Sequence, residues 1–194
     1  MSTATVSLFA ALLALLCLAG SVIVAVLALM YRSRPESVAA GVFADLRPLA
    51  LWLAWVVAVV TTLGSLYFSD VAGFTPCKLC WYQRIAMYPL SVVLLVAAVR
   101  RDRAVWVYVT PVAGIGALIA AYHTQLQAFP DQSSSFCTTA VPCTERYVWE
   151  FGFVSLPFMA LVAFVFIIAM VLVARAPVGA SARSTDSDLQ IGVS

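Results

Sequence analysis

Four stretches of this chain carry no charged residue: 1–31, 48–69, 104–130 and 151–174. Each is long enough for the roughly 20 helical residues that cross about 30 Å of hydrocarbon. A fifth apolar run, Ile85 to Val99, is shorter, and is bounded by Arg84 and by the cluster Arg100, Arg101, Asp102, Arg103. It spans only if its helix starts near Cys80, which places Arg84 about one turn inside the membrane. The expectation is an all-α polytopic membrane protein with helices at about 8–30, 48–69, 80–99, 104–126 and 152–174. These form a single membrane domain over 1–175, followed by a disordered cytoplasmic tail over 176–194, rich in Ser, Asp and Gly.

Composition agrees. Residues of the AVILMFWYC set make up 63% of the 194, charged residues 10%, and the mean hydropathy is +1.01. So much apolar surface cannot be hidden in a 20.8 kDa soluble fold, where about 25% charged residues is usual. A cytosolic enzyme, a nucleic-acid-binding domain and a disordered chain are excluded, and a net charge of +2 is too small to indicate an acidic partner. The first apolar segment reads as a retained helix rather than a signal peptide. Met1 to Ala10 has no Lys or Arg, and the segment exceeds the usual 7–15 apolar residues of such a peptide.

Basic residues set the expected orientation. One side collects Arg32, Arg34, Arg47, Arg100, Arg101, Arg103, Arg175 and Arg183; the other has Lys78, Arg84 and Arg146. The positive-inside rule puts the eight in the cytoplasm, so four of the five cysteines face outward, away from cytosolic reductants.

Those four form two close pairs. In Pro76-Cys77-Lys78-Leu79-Cys80-Trp81-Tyr82-Gln83-Arg84, two cysteines three apart can close a disulfide across the first turn of a helix. Thiolates there are favoured by unpaired N–H groups and by the nearby cations Lys78 and Arg84. Pro76 suits a helix start. Helical spacing aligns Cys77, Cys80 and Arg84, with Tyr88 a turn further down. A CxxC alone is equally a metal half-site or a structural disulfide, Pro89 can be a simple kink, and an arginine at this depth can snorkel. An intramembrane cation beside a thiol pair more often marks a site.

The second pair, Cys137 and Cys143, lies in an outer loop from about Gln125 to Phe151. As a staple it closes a small ring, worth roughly 2–3 kcal/mol; as a loop-borne disulfide it is open to attack by another thiolate. Two pairs on one membrane face suggest exchange between them, and four thiolates holding zinc is the competing reading. Phe129, Phe136, Tyr147, Trp149, Phe151 and Phe153 read mostly as an interfacial aromatic belt. His123 lies at the depth of Arg84, with Gln127 a turn later; packing is one reading, a hydrogen bond to a polar headgroup in the membrane the other. Cys17 reads as a small apolar filler. Gly114, Gly116, Ala117, Ala120 and Ala121 suit close helix approach.

The stretch Cys77-Lys-Leu-Cys80-Trp-Tyr-Gln-Arg84-Ile-Ala-Met-Tyr-Pro89-Leu resembles the signature helix of the DsbB/BdbC family of disulfide-formation membrane proteins. Cys143-Thr-Glu-Arg-Tyr-Val-Trp-Glu-Phe-Gly152-Phe-Val-Ser-Leu-Pro157 is similar to that family's second loop running into its last helix. The likeness covers about residues 48–174, and the spacing of Cys137 and Cys143 is that of the short-loop, BdbC-like branch. The family's four-helix transmembrane bundle would here carry one extra N-terminal transmembrane helix, 8–30.

The resemblance implies a quinone-dependent thiol oxidoreductase of the bacterial cytoplasmic membrane. It would reoxidise an extracytoplasmic, DsbA-like thioredoxin-fold partner and pass the electrons to menaquinone or ubiquinone from the lipid pool. It also implies that Cys137 takes the mixed disulfide, Cys143 resolves it, and Cys77 and Cys80 accept the electrons. Cys80 would contact the quinone and Arg84 would stabilise the charge; His123, by its depth, and Tyr88, by its place on the Cys80–Arg84 stripe, are the further candidates for the cofactor site. A quinone-linked reductase of the vitamin K epoxide type, and a non-catalytic membrane protein with structural disulfides or a metal, are the alternatives. The Gln-Arg that follows the CxxC speaks against the former.

Overall fold

The computed structural model describes residues 2–34, 38–131, 137 and 141–175. The tail expected to be disordered and Phe136 lie outside the described residues, as do other parts of the outer loop. Among the described residues, five helices are each long and apolar enough to cross a membrane, and they account for most of the chain. They are α1 (Thr3–Ser33), α2 (Val38–Leu66), α3 (Lys78–Arg100), α4 (Trp106–Ala128) and α5 (Leu156–Arg175). The expected all-α polytopic architecture is what is observed.

Helices α2 to α5 close a ring in which α5 packs on α4 and α2, and α3 bridges the other sides of those two. Leu94, Val109, Phe164, Ile167 and Met170, almost without exposure, fill the centre. Helix α1 lies outside the ring against α5 and, less extensively, α2. Its buried residues Ser7, Ala11, Ala14, Ser21 and Val24 recur at helical spacing, and most are small, which lets the backbones approach.

The boundaries differ from the expected ones where local chemistry intervenes. Helix α2 starts at Val38 rather than 48 and carries Arg47 and Pro48 inside it. Arg47 is tolerated there because its Nε donates to the Ala174 carbonyl at 3.2 Å, one of the last carbonyls of α5. Helix α2 leads into a π-helical turn, Tyr67–Val71. Helix α5 starts at Leu156, not 152, because Phe151 and Gly152 both take positive φ (53° and 78°). A tight turn is closed there by reciprocal 2.9 Å hydrogen bonds between Glu150 and Val154. Between α3 and α4 the chain reverses at Arg101, at φ 53°, and Asp102 caps a 3₁₀ turn by accepting from the Ala104 N–H at 2.9 Å. That end of the bundle gathers arginines, and the Arg175 guanidinium sits 4.0 Å over the Trp106 ring. The cysteine pairs lie at the opposite end.

Candidate active site

The first cysteine pair is built into the start of α3. Cys77 is the N-cap residue, with extended backbone (φ −74°, ψ 173°), and its sulfur accepts from the Cys80 N–H at 3.4 Å. A sulfur thus occupies the place usually taken by a hydroxyl or carboxylate oxygen, where helix N–H groups favour a negative charge. Pro76 stands one residue before the cap rather than at the first helical position. The Cys77 and Cys80 sulfurs are free thiols 3.2 Å apart, so about 1 Å of approach would close a disulfide between them.

The two thiols face different surroundings. Cys77 is buried, in one apolar cluster with Leu79, Leu126 and Cys143. Cys80 is half-buried and borders a cavity of about 480 Å³. Cys77 and Cys143 share a second, much smaller recess with Cys80 and His123.

His123, on α4 and 2% exposed, organises the Cys77 side. Its Nδ1 lies 3.0 Å from the Gln83 amide nitrogen. That nitrogen can only donate, so Nδ1 is the acceptor and the ring proton is on Nε2. Nε2 is 3.1 Å from the Cys143 carbonyl oxygen and 3.6 Å from the Cys77 sulfur. One imidazole thereby joins both cysteine pairs. The Cys77 thiol is lowered to about 4, chiefly by its hydrogen bond with the Cys80 thiol and also by His123, against the opposing effect of burial. From sequence His123 reads either as a packing residue or as a hydrogen-bonding partner of a membrane headgroup; the structure places its ring on the thiol side, away from the large cavity. The reason is register: α4 presents His123 to Gln83 and to the Cys143 segment instead.

Cys137 and Cys143 are joined in a disulfide, with Cα atoms 5.8 Å apart. Four free thiolates for zinc are therefore not present. Among the described residues, the nearest approach to a metal set is Cys77, Cys80 and His123, whose donor atoms lie within 4.8 Å of one another. The segment after Cys143 is pinned to α4. Gln127 donates to the Glu145 carbonyl at 2.6 Å, Arg146 donates through Nε and Nη2 to the Gln127 carbonyl, and its guanidinium lies 4.1 Å over Trp149. Tyr147 stacks on Phe74 at 4.7 Å, and Phe74 on Phe68. Tyr147 and Trp149, read from sequence as belt residues, thus hold the second loop over the start of α3.

The large cavity runs between α1, α2, α3 and α5 and is almost wholly apolar. Its polar features gather beside Cys80. The Arg84 Nε donates to Ser65 Oγ at 3.0 Å and Nη2 to the Ser65 carbonyl at 2.9 Å. The Tyr88 hydroxyl donates to the same Oγ at 3.4 Å. Arg84 Nη1 has no hydrogen-bond partner among the described residues. Cys80, Arg84 and Tyr88 share this cavity as their spacing indicated, whereas Cys77 turns away from it. Ser65, Gln83 and Phe74 were missed; of these only Gln83, an amide in an apolar helix beside the CxxC, carried a signal. Cys17, which reads from sequence as a small apolar filler, lines the cavity.

The family model described as "Disulfide bond formation protein DsbB" matches residues 47–174. The disulfide bond formation protein C of Bacillus subtilis (strain 168) is 49% identical over 119 residues, which cover 61% of this chain and 86% of that protein. A probable disulfide formation protein C 1 of Bacillus cereus (strain ATCC 10987 / NRS 248) is 46% identical over 117 residues, 60% of this chain and 84% of the relative. A probable disulfide formation protein of Oceanobacillus iheyensis is 43% identical over 122 residues, 62% and 84% of the two chains. No solved structure matches significantly.

Proposed function

This chain belongs to the DsbB family of disulfide bond formation proteins, and from that membership we propose that it makes disulfides de novo at the outer face of a bacterial membrane. Electrons would pass from an extracytoplasmic, thioredoxin-fold dithiol partner through two cysteine pairs to a membrane quinone. The observation that carries this reading is the position of the Cys77–Cys80 pair. Cys77 is buried in one cluster with Cys143, and of the pair Cys80 alone borders the apolar cavity with a cation in its wall.

The thiol chemistry balances as exchange. A partner thiolate attacks Cys137, and the Cys143 sulfur leaves with the electron pair of the broken S–S bond. The partner's second thiolate, and not Cys143 as the resemblance implied, then attacks the partner sulfur of the mixed disulfide, releasing Cys137 and leaving the partner oxidised; attack by Cys143 would only return the partner to its reduced form. With Cys77 and Cys80 in their disulfide form, Cys143 attacks Cys77, and Cys80 leaves as a thiolate beside Arg84. Cys137 then attacks Cys143. This restores the second pair and leaves Cys77 and Cys80 as a dithiol.

His123 supports this exchange by donating toward the Cys77 sulfur and the Cys143 carbonyl, which keeps the two segments together. The cavity fits a lipophilic para-quinone: its body is apolar, Cys80 lines it, and Arg84 and the Tyr88 hydroxyl meet at Ser65 in the same wall, with Arg84 Nη1 unengaged among the described residues. When bound, the quinone supplies the sink for the two electrons and two protons of the dithiol. Arg84, held by Ser65, is preorganised to stabilise negative charge on Cys80. The basic end of the bundle faces the cytoplasm.

The test is a stoichiometric turnover. Purified protein in detergent, mixed with a reduced thioredoxin-fold dithiol and ubiquinone-1, should form one partner disulfide for each quinone reduced, and keep doing so. Quinone reduction without partner oxidation, or a burst confined to the protein's own disulfides, would overturn the proposal.

A further inference from the structure

Helix α1 lies outside the stretch matched by the family model, which begins at residue 47, yet it forms part of the large cavity. Val6, Phe9, Leu13 and Cys17 line it. These positions recur at helical spacing, so one continuous face extends about 16 Å along the cavity. Their neighbours on the buried stripe fix how that face is presented. Ser7 Oγ donates to Glu150 Oε1 at 2.7 Å, tying the start of α1 to the turn before α5. Further along, a Cβ added at Gly20 would come within 3.3 Å of the Phe166 ring. The helix is therefore held in register at both ends of the cavity.

We propose that α1 is the wall that holds the polyisoprenoid tail of the quinone, whose head group lies beside Cys80 and Arg84. This rests on the reading of the cavity as a quinone site. The occupant follows from the division of the walls. The polar groups gather where α3 meets Ser65 of α2, whereas the face contributed by α1 carries no hydrogen-bonding side chain other than the Cys17 thiol. A head group gains nothing there, but a hydrocarbon chain does, by dispersion and exclusion from competing lipid. Phe9 remains 60% exposed, so the cavity edge is open toward lipid, the side by which a long tail leaves the bundle. The chain should thus distinguish quinones by their tails more than by their rings.

Calorimetric titration of the full chain in detergent tests this with two probes, menaquinone-4, which has a tail, and duroquinone, which has none. The unaltered chain should bind menaquinone-4 about tenfold or more tighter than duroquinone. Ala10→Trp, which fills the cavity from α1, should reduce that ratio to about threefold or less, acting on the tailed probe. Leu16→Trp, on the lipid face of α1 and 69% exposed, should leave the ratio intact. A second readout needs no substitution. Alkylation of Cys17 by N-phenylmaleimide, followed by mass spectrometry of its peptide, should be slowed by menaquinone-4 and not by duroquinone; this decides the matter if Ala10→Trp does not fold. An undiminished ratio in a folded Ala10→Trp, or Cys17 alkylated equally fast with and without menaquinone-4 bound, would overturn the role of α1 and leave the quinone site standing. Failure of the unaltered chain to bind either probe would overturn the quinone reading itself, and this inference with it.

Discussion

His123 Nε2 stands 3.6 Å from the sulfur of Cys77, close enough to favour a thiolate there. The same nitrogen reaches the Cys143 carbonyl at 3.1 Å. A single buried ring therefore adds to the effect of Cys80 on the acidity of one cysteine and ties it to the segment carrying another.

The acidity of Cys77 has a direct readout. Its thiol is lowered to about 4, first by Cys80 and then by His123. In the reduced protein the anion is present above that value and is lost as pH falls through it. The ultraviolet thiolate absorbance of reduced wild type minus that of Cys77→Ser should stay constant from neutral pH down to about pH 5. His123→Phe should move the transition upward. An ordinary thiol profile centred near pH 8.5 in the wild type would contradict the geometry.

Loss of each pair should arrest the chemistry at a different step. Cys137→Ser should abolish exchange with the dithiol partner while Cys77 and Cys80 remain oxidisable by quinone. Cys77→Ser should leave the second pair able to react about once and then unable to be renewed. Thiol counting after reaction with the partner separates the two. Many turnovers in either variant would show that the pairs do not act in series.

Arg84→Ala should impair quinone use more than folding. Removing a preorganised cation beside developing negative charge costs about 100-fold or more in rate, and the apparent quinone KM should rise. Arg84→Lys should recover only part of it, because the guanidinium uses two nitrogens on Ser65 and a lysine offers no such fork. Steady-state quinone reduction and a thermal melt, measured on the same preparation, check this. Normal kinetics in Arg84→Ala would reduce the residue to an interfacial anchor.

Two glycines of α4 give a paired test of packing. A Cβ at Gly116 would collide with the Phe164 ring, whereas one at Gly114 meets nothing within 4 Å. Phe164 is fully buried and also borders the cavity. Gly116→Ala should destabilise by about 1–3 kcal/mol and raise the quinone KM as the ring is displaced. Gly114→Ala should leave both nearly unchanged. Thermal melts of the solubilised variants decide, and equal melts would contradict the packing of α4 on α5.

The five helices were legible because lipid imposes a length and forbids charge, and both constraints are written locally, as between Arg47 and Asp70 or Arg103 and Asp131. The alignment of Cys80, Arg84 and Tyr88 was legible for a similar reason, since it depends only on the period of one helix. What could not be read was which neighbour each face meets. Ser65 gives no sign that it will fix Arg84, nor Gln83 that it will set the tautomer of His123. Both contacts join separate helices, and they depend on rotation and depth that no local pattern encodes. Cys17 is the clearest case. Its apolar surroundings in sequence indicate lipid or core, and only the placement of α1 against α5 turns it toward a cavity.

The relay itself rests on Cys143 reaching Cys77, and disulfide mapping in the double variant Cys80→Ser/Cys137→Ser measures that most directly. The two cysteines left at the outer end have lost their own partners. Mild oxidation of the purified protein followed by non-reducing peptide mass spectrometry should recover a Cys77–Cys143 disulfide as the main product. Recovery of both as unpaired thiols, under conditions that fully oxidise Cys77 and Cys80 in the unaltered chain, would contradict electron transfer between the pairs.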